Sequence, residues 1–193
     1  MTELDALALG RAEFEKRLAL VEPTLWSLPT PCAGWDVRKL VNHVVAGNNM
    51  SVALLLGAAA SDASKLNRAD ALGSDPIGAF RRSADDLEST FGEDGMLDKD
   101  VVHHPAGDIP AAQLLNYRVA DYGLHAWDLA RAIGADENLA PGLVGALWDA
   151  LAPIAEFIQH TGVYGEGPSG TVPDDAPLQL RLLDVSGRRP RNR

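Results

Sequence analysis

The chain has 193 residues, 46% of them hydrophobic, a formal net charge of −10 at pH 7 and a single cysteine, Cys32. That length holds one domain with a real core, or a domain plus an extension, and the hydrophobic fraction excludes a disordered chain. The acidic balance argues against nucleic acid or anionic lipid as a partner, and one cysteine excludes both an internal disulfide and a cysteine-based zinc cluster.

The N-terminal stretch MTELDALALGRAEFEKRL is acidic and amphipathic, unlike a secretory leader. The apolar run VALLLGAAA is too short to span a bilayer. A cytoplasmic location is expected. Leu4, Leu7, Phe14, Leu18 and Val21 recur near helical period and predict a first helix from Leu4 to Val21. Pro29, Pro31 and Gly34 then predict a structured loop, LWSLPTPCAGWDVRKL, with Asp36 as the N-cap of a second helix from Val37 to about Leu56. This helix is apolar on most sides, as in the middle of a bundle, and His43 within it needs a hydrogen-bond or metal partner. Cys32, in the loop, reads as a small buried hydrophobe rather than a nucleophile.

SDASKLNRADALGSDP is small and polar and reads as a loop. Asp75 and Pro76 predict the cap and first residue of a third helix, with Phe80, Ala84, Leu87 and Phe91 on its apolar side. MLDKDVVHHPAGDIPAAQ alternates and is punctuated by proline and glycine, which predicts a short hairpin or extended link. Its adjacent histidines, His103 and His104, would face opposite sides of a strand, so they read as exposed loop residues, with His104 a lesser candidate for lining a site.

Pro110 opens a fourth helix that Gly134 stops, and Arg131 suits the dipole at its C-terminal end. At 100° per residue, Leu114, Arg118, Asp121, His125 and Asp128 share one face, bordering either a wet cavity or solvent. Pro141 starts a fifth helix that Pro153 should kink, with His160 in its last turn. A Gly/Pro-rich strap, a short amphipathic turn and an arginine-rich tail follow, and the four arginines after Ser186 read as a frayed end. The expected organisation is a helical bundle over residues 1–165 and a C-terminal extension over 166–193. No internal repeat is visible.

Asp121 and His125 lie one turn apart on one face. If the second helix packs beside the fourth, His43 joins them. Two imidazoles and a carboxylate with open positions make a transition-metal site of the catalytic kind, although an Asp and a His at this spacing are also an ordinary side-chain pair. Around this set, Arg118 is a candidate for holding a substrate carboxylate through a forked pair, or is a surface arginine. Asn42 and Asn48 border His43 and are candidates for lining the cavity. Asp128 reaches the free ring nitrogen of His125 only if the geometry bends back. Trp35 and Trp127 read as packing anchors.

The segments PCAGWDVRKLVNH, VADYGLHAWDLARAIG and VPDDAPLQLRLL together resemble the mycothiol-dependent maleylpyruvate isomerase metal-binding domain, part of the DinB-like superfamily, and more closely its actinobacterial metal-binding protein branch. The resemblance runs from about Leu9 to Leu183. It implies an all-α, DinB-like four-helix bundle, packed up-down-down-up, with a divalent metal, usually zinc or nickel, near one end. It maps the ligands onto His43, Asp121 and His125. The characterised isomerase carries a glutamate where this chain has Asp121, one methylene shorter, and a second, C-terminal domain with no clear equivalent here.

Such a site keeps a net positive charge and favours the thiolate of a bound thiol, which can attack an activated double bond, an epoxide or a halide. The expected function is a thiol transferase or thiol-assisted isomerase, with mycothiol as the co-substrate that the resemblance implies. The alternatives are a metal-dependent hydrolase and a non-catalytic, metal-stabilised binding module. A homodimer through helix faces is compatible with the sequence.

Overall fold

Thr2 starts the first helix, α1 (Glu3–Leu18): its hydroxyl accepts from the Asp5 N–H while the Asp5 carboxylate accepts from the Thr2 N–H. This is a computed structural model, and it describes residues 1–162 and 164–189. Asp36 caps α2 (Val37–Leu55) by accepting from the Lys39 N–H at 2.8 Å. Asp75 caps α4 (Pro76–Phe91) in the same way through the Gly78 N–H at 3.0 Å, with Pro76 in the first turn. An antiparallel hairpin follows, with β1 (Val102–His104) paired to β2 (Gly107–Ile109). The long helix α5 (Ala111–Ile133) ends where Gly134 takes a left-handed φ of 72°.

Helices α1, α2, α4 and α5 form the bundle. α1 packs along α5, α2 lies against both α4 and α5, and α1 also meets α4. Their shared core holds Leu7, Phe14, Leu40, Val44, Phe80, Leu87, Leu115 and Tyr122, all at most 1% exposed. The Phe14, Phe80 and Tyr122 rings meet there, with centroids 5.0 to 6.3 Å apart. These helices belong to one compact unit, Met1–Glu137, and a second unit begins at Asn138. The division expected at residue 165 falls within that second unit.

The second unit contains α6 (Pro141–Leu151), α7 (Ala155–Thr161) and α8 (Leu178–Val185). The kink expected at Pro153 is a turn of 3-10 helix, Ala152–Ile154, between α6 and α7. By length and composition alone, Pro141–Thr161, at 21 residues, reaches what is needed to cross a bilayer, although that turn divides it.

Two expectations need correction. The stretch read as a loop after α2 contains a helix, α3 (Ala60–Asn67). It buries little beyond Ala63, so its sequence shows almost no apolar period. The tail arginines do not all fray. Arg188 is buried and donates to the carbonyls of Tyr164 and Ser186, and Arg189 donates to Asp184 and to the Gly167 carbonyl. Arg191 and Arg193 lie outside the described residues.

Candidate metal centre

Where α2 packs against α5, the sequence-nominated trio converges. His43 Nε2 is 3.6 Å from Asp121 Oδ2, and His125 Nε2 is 3.9 Å from Asp121 Oδ1. The two imidazoles stand edge to face with centroids 5.2 Å apart, and one donor atom from each of the three residues lies within 4.8 Å of the others. His125 is buried, whereas His43 and Asp121 keep partial exposure. An ion bound at about 2.1 Å from each donor separates its donors by roughly 3 to 4 Å, and the two imidazole-to-carboxylate separations already lie in that range. Partial exposure on two of the three leaves the spot reachable from solvent.

Asp121 is held as a carboxylate. Burial opposes its ionisation, but the Arg118 guanidinium, followed by His43 and His125, outweighs burial and keeps its carboxyl far below the usual carboxylate range. Arg118 itself is 3% exposed. Its guanidinium donates to Asp121 Oδ2, to the Val44 carbonyl at 3.1 Å and to Asn48 Oδ1 at 2.9 Å. Gly47 makes this possible, because a Cβ there would collide with the Arg118 Nη1. Arg118 is thus turned into the bundle onto the Asp121 carboxylate rather than out toward solvent. Asn48 is buried and also donates to the Ser83 hydroxyl at 3.0 Å, so it supports Arg118. Asn42 spans α2 and the segment after α3, donating to the Ala69 carbonyl at 3.0 Å and accepting from the Ala71 N–H at 2.8 Å.

On the far side of His125, Nδ1 lies 2.9 Å from Asp128 Oδ2, and Asp128 is fully buried. When Nδ1 carries the proton donated to that carboxylate, Nε2 presents its lone pair toward Asp121. Cys32 Sγ is 3.4 Å from the same Asp128 oxygen and 3.9 Å from His125 Nδ1. Cys32 is therefore a half-buried neighbour of the site rather than an inert core residue. Trp35, expected to be a packing anchor, lies tilted beside both imidazoles, with centroids 4.8 Å from His43 and 6.0 Å from His125. The signal for both residues lay in the turn before the Asp36 cap, which carries Trp35 to His43 on α2 and Cys32 to Asp128 on α5. Trp127 does pack, fully buried beneath Arg131.

The hairpin histidines stand elsewhere. His103 is exposed and pairs with Asp108 at 2.9 Å. His104 is half-buried, its Nδ1 accepts from the Ala106 N–H, and burial lowers its pKa.

Residues 7–130 match the family described as Mycothiol maleylpyruvate isomerase N-terminal domain. An uncharacterized protein of Mycobacterium tuberculosis, from strain CDC 1551 / Oshkosh and from strain H37Rv, is 30% identical over 178 residues, covering 92% of this chain and 89% of that protein. Among solved structures, the mycothiol-dependent maleylpyruvate isomerase superposes with a TM-score of 0.59 at 18% identity, covering 83% of this chain and 71% of that one. A histidine-to-alanine mutant of that isomerase superposes with a TM-score of 0.62 at 17% identity, covering 86% and 72%. The all-α, DinB-like bundle is the fold that these structures share with the chain.

Proposed function

Because the chain belongs to the mycothiol maleylpyruvate isomerase N-terminal domain family, we propose that it binds a divalent metal and activates a low-molecular-weight thiol, mycothiol, as a transferase or isomerase. The observation that carries this reading is the convergence of His43, Asp121 and His125 donor atoms to within 4.8 Å of one another, drawn from two helices. The isomerase structures of the same fold, named for their dependence on mycothiol, support the choice of thiol. A cytoplasmic location, where a thiol co-substrate is kept reduced, belongs to the same proposal.

Zinc or nickel held by these three side chains would supply a positive charge that favours a thiolate and polarises an electrophile. The protein's own residues set the conditions for that. His43 and His125 bind as neutral imidazoles, and one carboxylate leaves a divalent ion with net positive charge. Arg118 keeps Asp121 ionised, and Asp128 fixes the ring of His125 with Nε2 forward. Trp35 supplies an aromatic wall beside both imidazoles. In this reading Arg118 and Asn42, nominated from sequence for binding the small molecules, act one step back: Arg118 on the ligand carboxylate and Asn42 on the backbone of residues 69–71.

The test is thiol-dependent turnover. Metal-loaded protein incubated with mycothiol and a panel of electrophiles, maleylpyruvate among them, should consume substrate, and His43→Ala should not. Stoichiometric metal with no thiol-linked turnover across the panel would sink the catalytic reading.

A further inference from the structure

One oxygen, Asp128 Oδ2, takes two neighbours at once. Cys32 Sγ stands 3.4 Å from it and His125 Nδ1 stands 2.9 Å from it, with the sulfur and the ring nitrogen 3.9 Å apart. One thiol, one imidazole and one buried carboxylate therefore face a common point, on the side of His125 opposite Asp121. We propose that Cys32, His125 and Asp128 form a second cation site, selective for a thiophilic divalent ion, that shares His125 with the first through the other ring nitrogen.

The donor set and its spacing carry this. An ion with sulfur at about 2.3 Å and nitrogen or oxygen at about 2.0 to 2.1 Å spaces its donors roughly 3.3 to 3.8 Å apart in a tetrahedron. The two separations that involve sulfur are already near that range. The His125–Asp128 separation is that of a hydrogen bond, and it widens by a few tenths of an ångström when an ion replaces the proton. Thiolate ligation selects zinc and its softer relatives over magnesium or calcium. The sulfur is held in place by its own turn: the Cys32 N–H donates to the Thr30 hydroxyl at 3.2 Å, and the Cys32 carbonyl accepts from the Trp35 N–H at 3.0 Å. Cys32 is partly exposed while Asp128 is not, so an ion reaches the site from the sulfur side.

The proton accounting links the two sites. Binding sends the thiol proton to solvent. The Nδ1 proton must also leave, and on a neutral ring it moves to Nε2, the nitrogen that the first site uses. The two sites are then alternatives on one imidazole, and a soft ion at Cys32 withdraws His125 from the first. The geometry stands without the first site being filled, so the proposal does not depend on the thiol chemistry above.

Titrating the metal-free full chain with cadmium chloride tests it through thiolate-to-cadmium charge-transfer absorption, to which only Cys32 can contribute. The band should appear in the wild type and in His43→Ala with similar affinity. It should vanish in Cys32→Ser and require at least tenfold more cadmium in Asp128→Asn and His125→Ala, with circular dichroism confirming that each variant is folded. Absence of the band in the wild type overturns the proposal. So does a band unmoved by Asp128→Asn and His125→Ala, which would mean a sulfur binding alone. Loss of the band in His43→Ala would place Cys32 on the first site's ion and also overturn a separate site. Zinc content of Cys32→Ser, compared with that of Cys32→Ser/His43→Ala, reports on the first site alone.

Discussion

His125 and Asp128 sit three residues apart on α5, and the imidazole Nδ1 meets the carboxylate Oδ2 at 2.9 Å. The carboxylate is fully buried, so its partner is fixed and the ring has one orientation in which Nε2 looks toward Asp121 and His43. Asp128→Asn keeps the size of the side chain but removes its charge. Groups that orient a metal-bound histidine typically contribute about 10- to 100-fold in metal affinity. We expect a loss in that range, measured by zinc competition against a chromophoric chelator. An unchanged affinity would show that the ring needs no orienting partner.

The proposed ligands themselves should behave differently. His43 and His125 come from separate helices, each anchored by apolar neighbours rather than by the site: Val44 and Leu40 around the first, Leu124 and Leu129 around the second. With Cys32→Ser in the background to remove the second donor set, His43→Ala and His125→Ala should therefore each abolish stoichiometric metal while retaining most helical content. Elemental mass spectrometry on protein purified without a histidine tag, paired with far-ultraviolet circular dichroism, checks both. Full metal retention in both variants would refute the ligand assignment.

Local signals carried the parts of the fold and site that sequence could reach. Asp36, Asp75 with Pro76, and Gly134 mark helix ends through side-chain chemistry and glycine's left-handed freedom, which act within a few residues. The shared face of Asp121 and His125 follows from helical geometry alone. Periodicity assigns a face but not the partner across it. Nothing local says that Cys32 meets Asp128 96 residues away, or that Arg118 turns inward to the Val44 carbonyl. The helix α3 was hidden because it buries so little, and Arg188 because its burial depends on carbonyls of Tyr164 and Ser186.

Gly47 offers a sharper probe of the Arg118 arrangement. Adding a methyl group there drives Arg118 Nη1 from its place between Asp121, Val44 and Asn48. Overpacking of this kind costs about 1 to 3 kcal/mol. Gly47→Ala should lower the unfolding midpoint and weaken zinc binding together, because the displaced guanidinium is the one that holds the Asp121 carboxylate, a proposed ligand. Arg118→Met alone should also weaken zinc binding. The double variant should be less impaired than the sum of the two, since each removes the same contact. Strict additivity in chemical denaturation would contradict a shared cause.

The depressed pKa of Asp121 gives a pH dependence of defined sign in the metal-free protein. Its folded value lies well below the ordinary 3.8, because Arg118 and then His43 and His125 outweigh the opposing effect of burial. A carboxyl depressed on folding contributes stability that is fully present above its unfolded value and is lost as pH falls through its folded value. Wild-type apo protein should thus lose stability progressively below the ordinary carboxylate range. Arg118→Met removes the strongest cation beside Asp121 and should raise its folded value, so that less stability remains to be lost on acidification. Asp121→Asn should remove this contribution altogether. Urea midpoints across a descending series of acidic buffers measure all three, and the wild-type curve should be the steepest. Parallel acid limbs in the wild type and Asp121→Asn would mean that Asp121 titrates normally and that Arg118 does not hold it ionised.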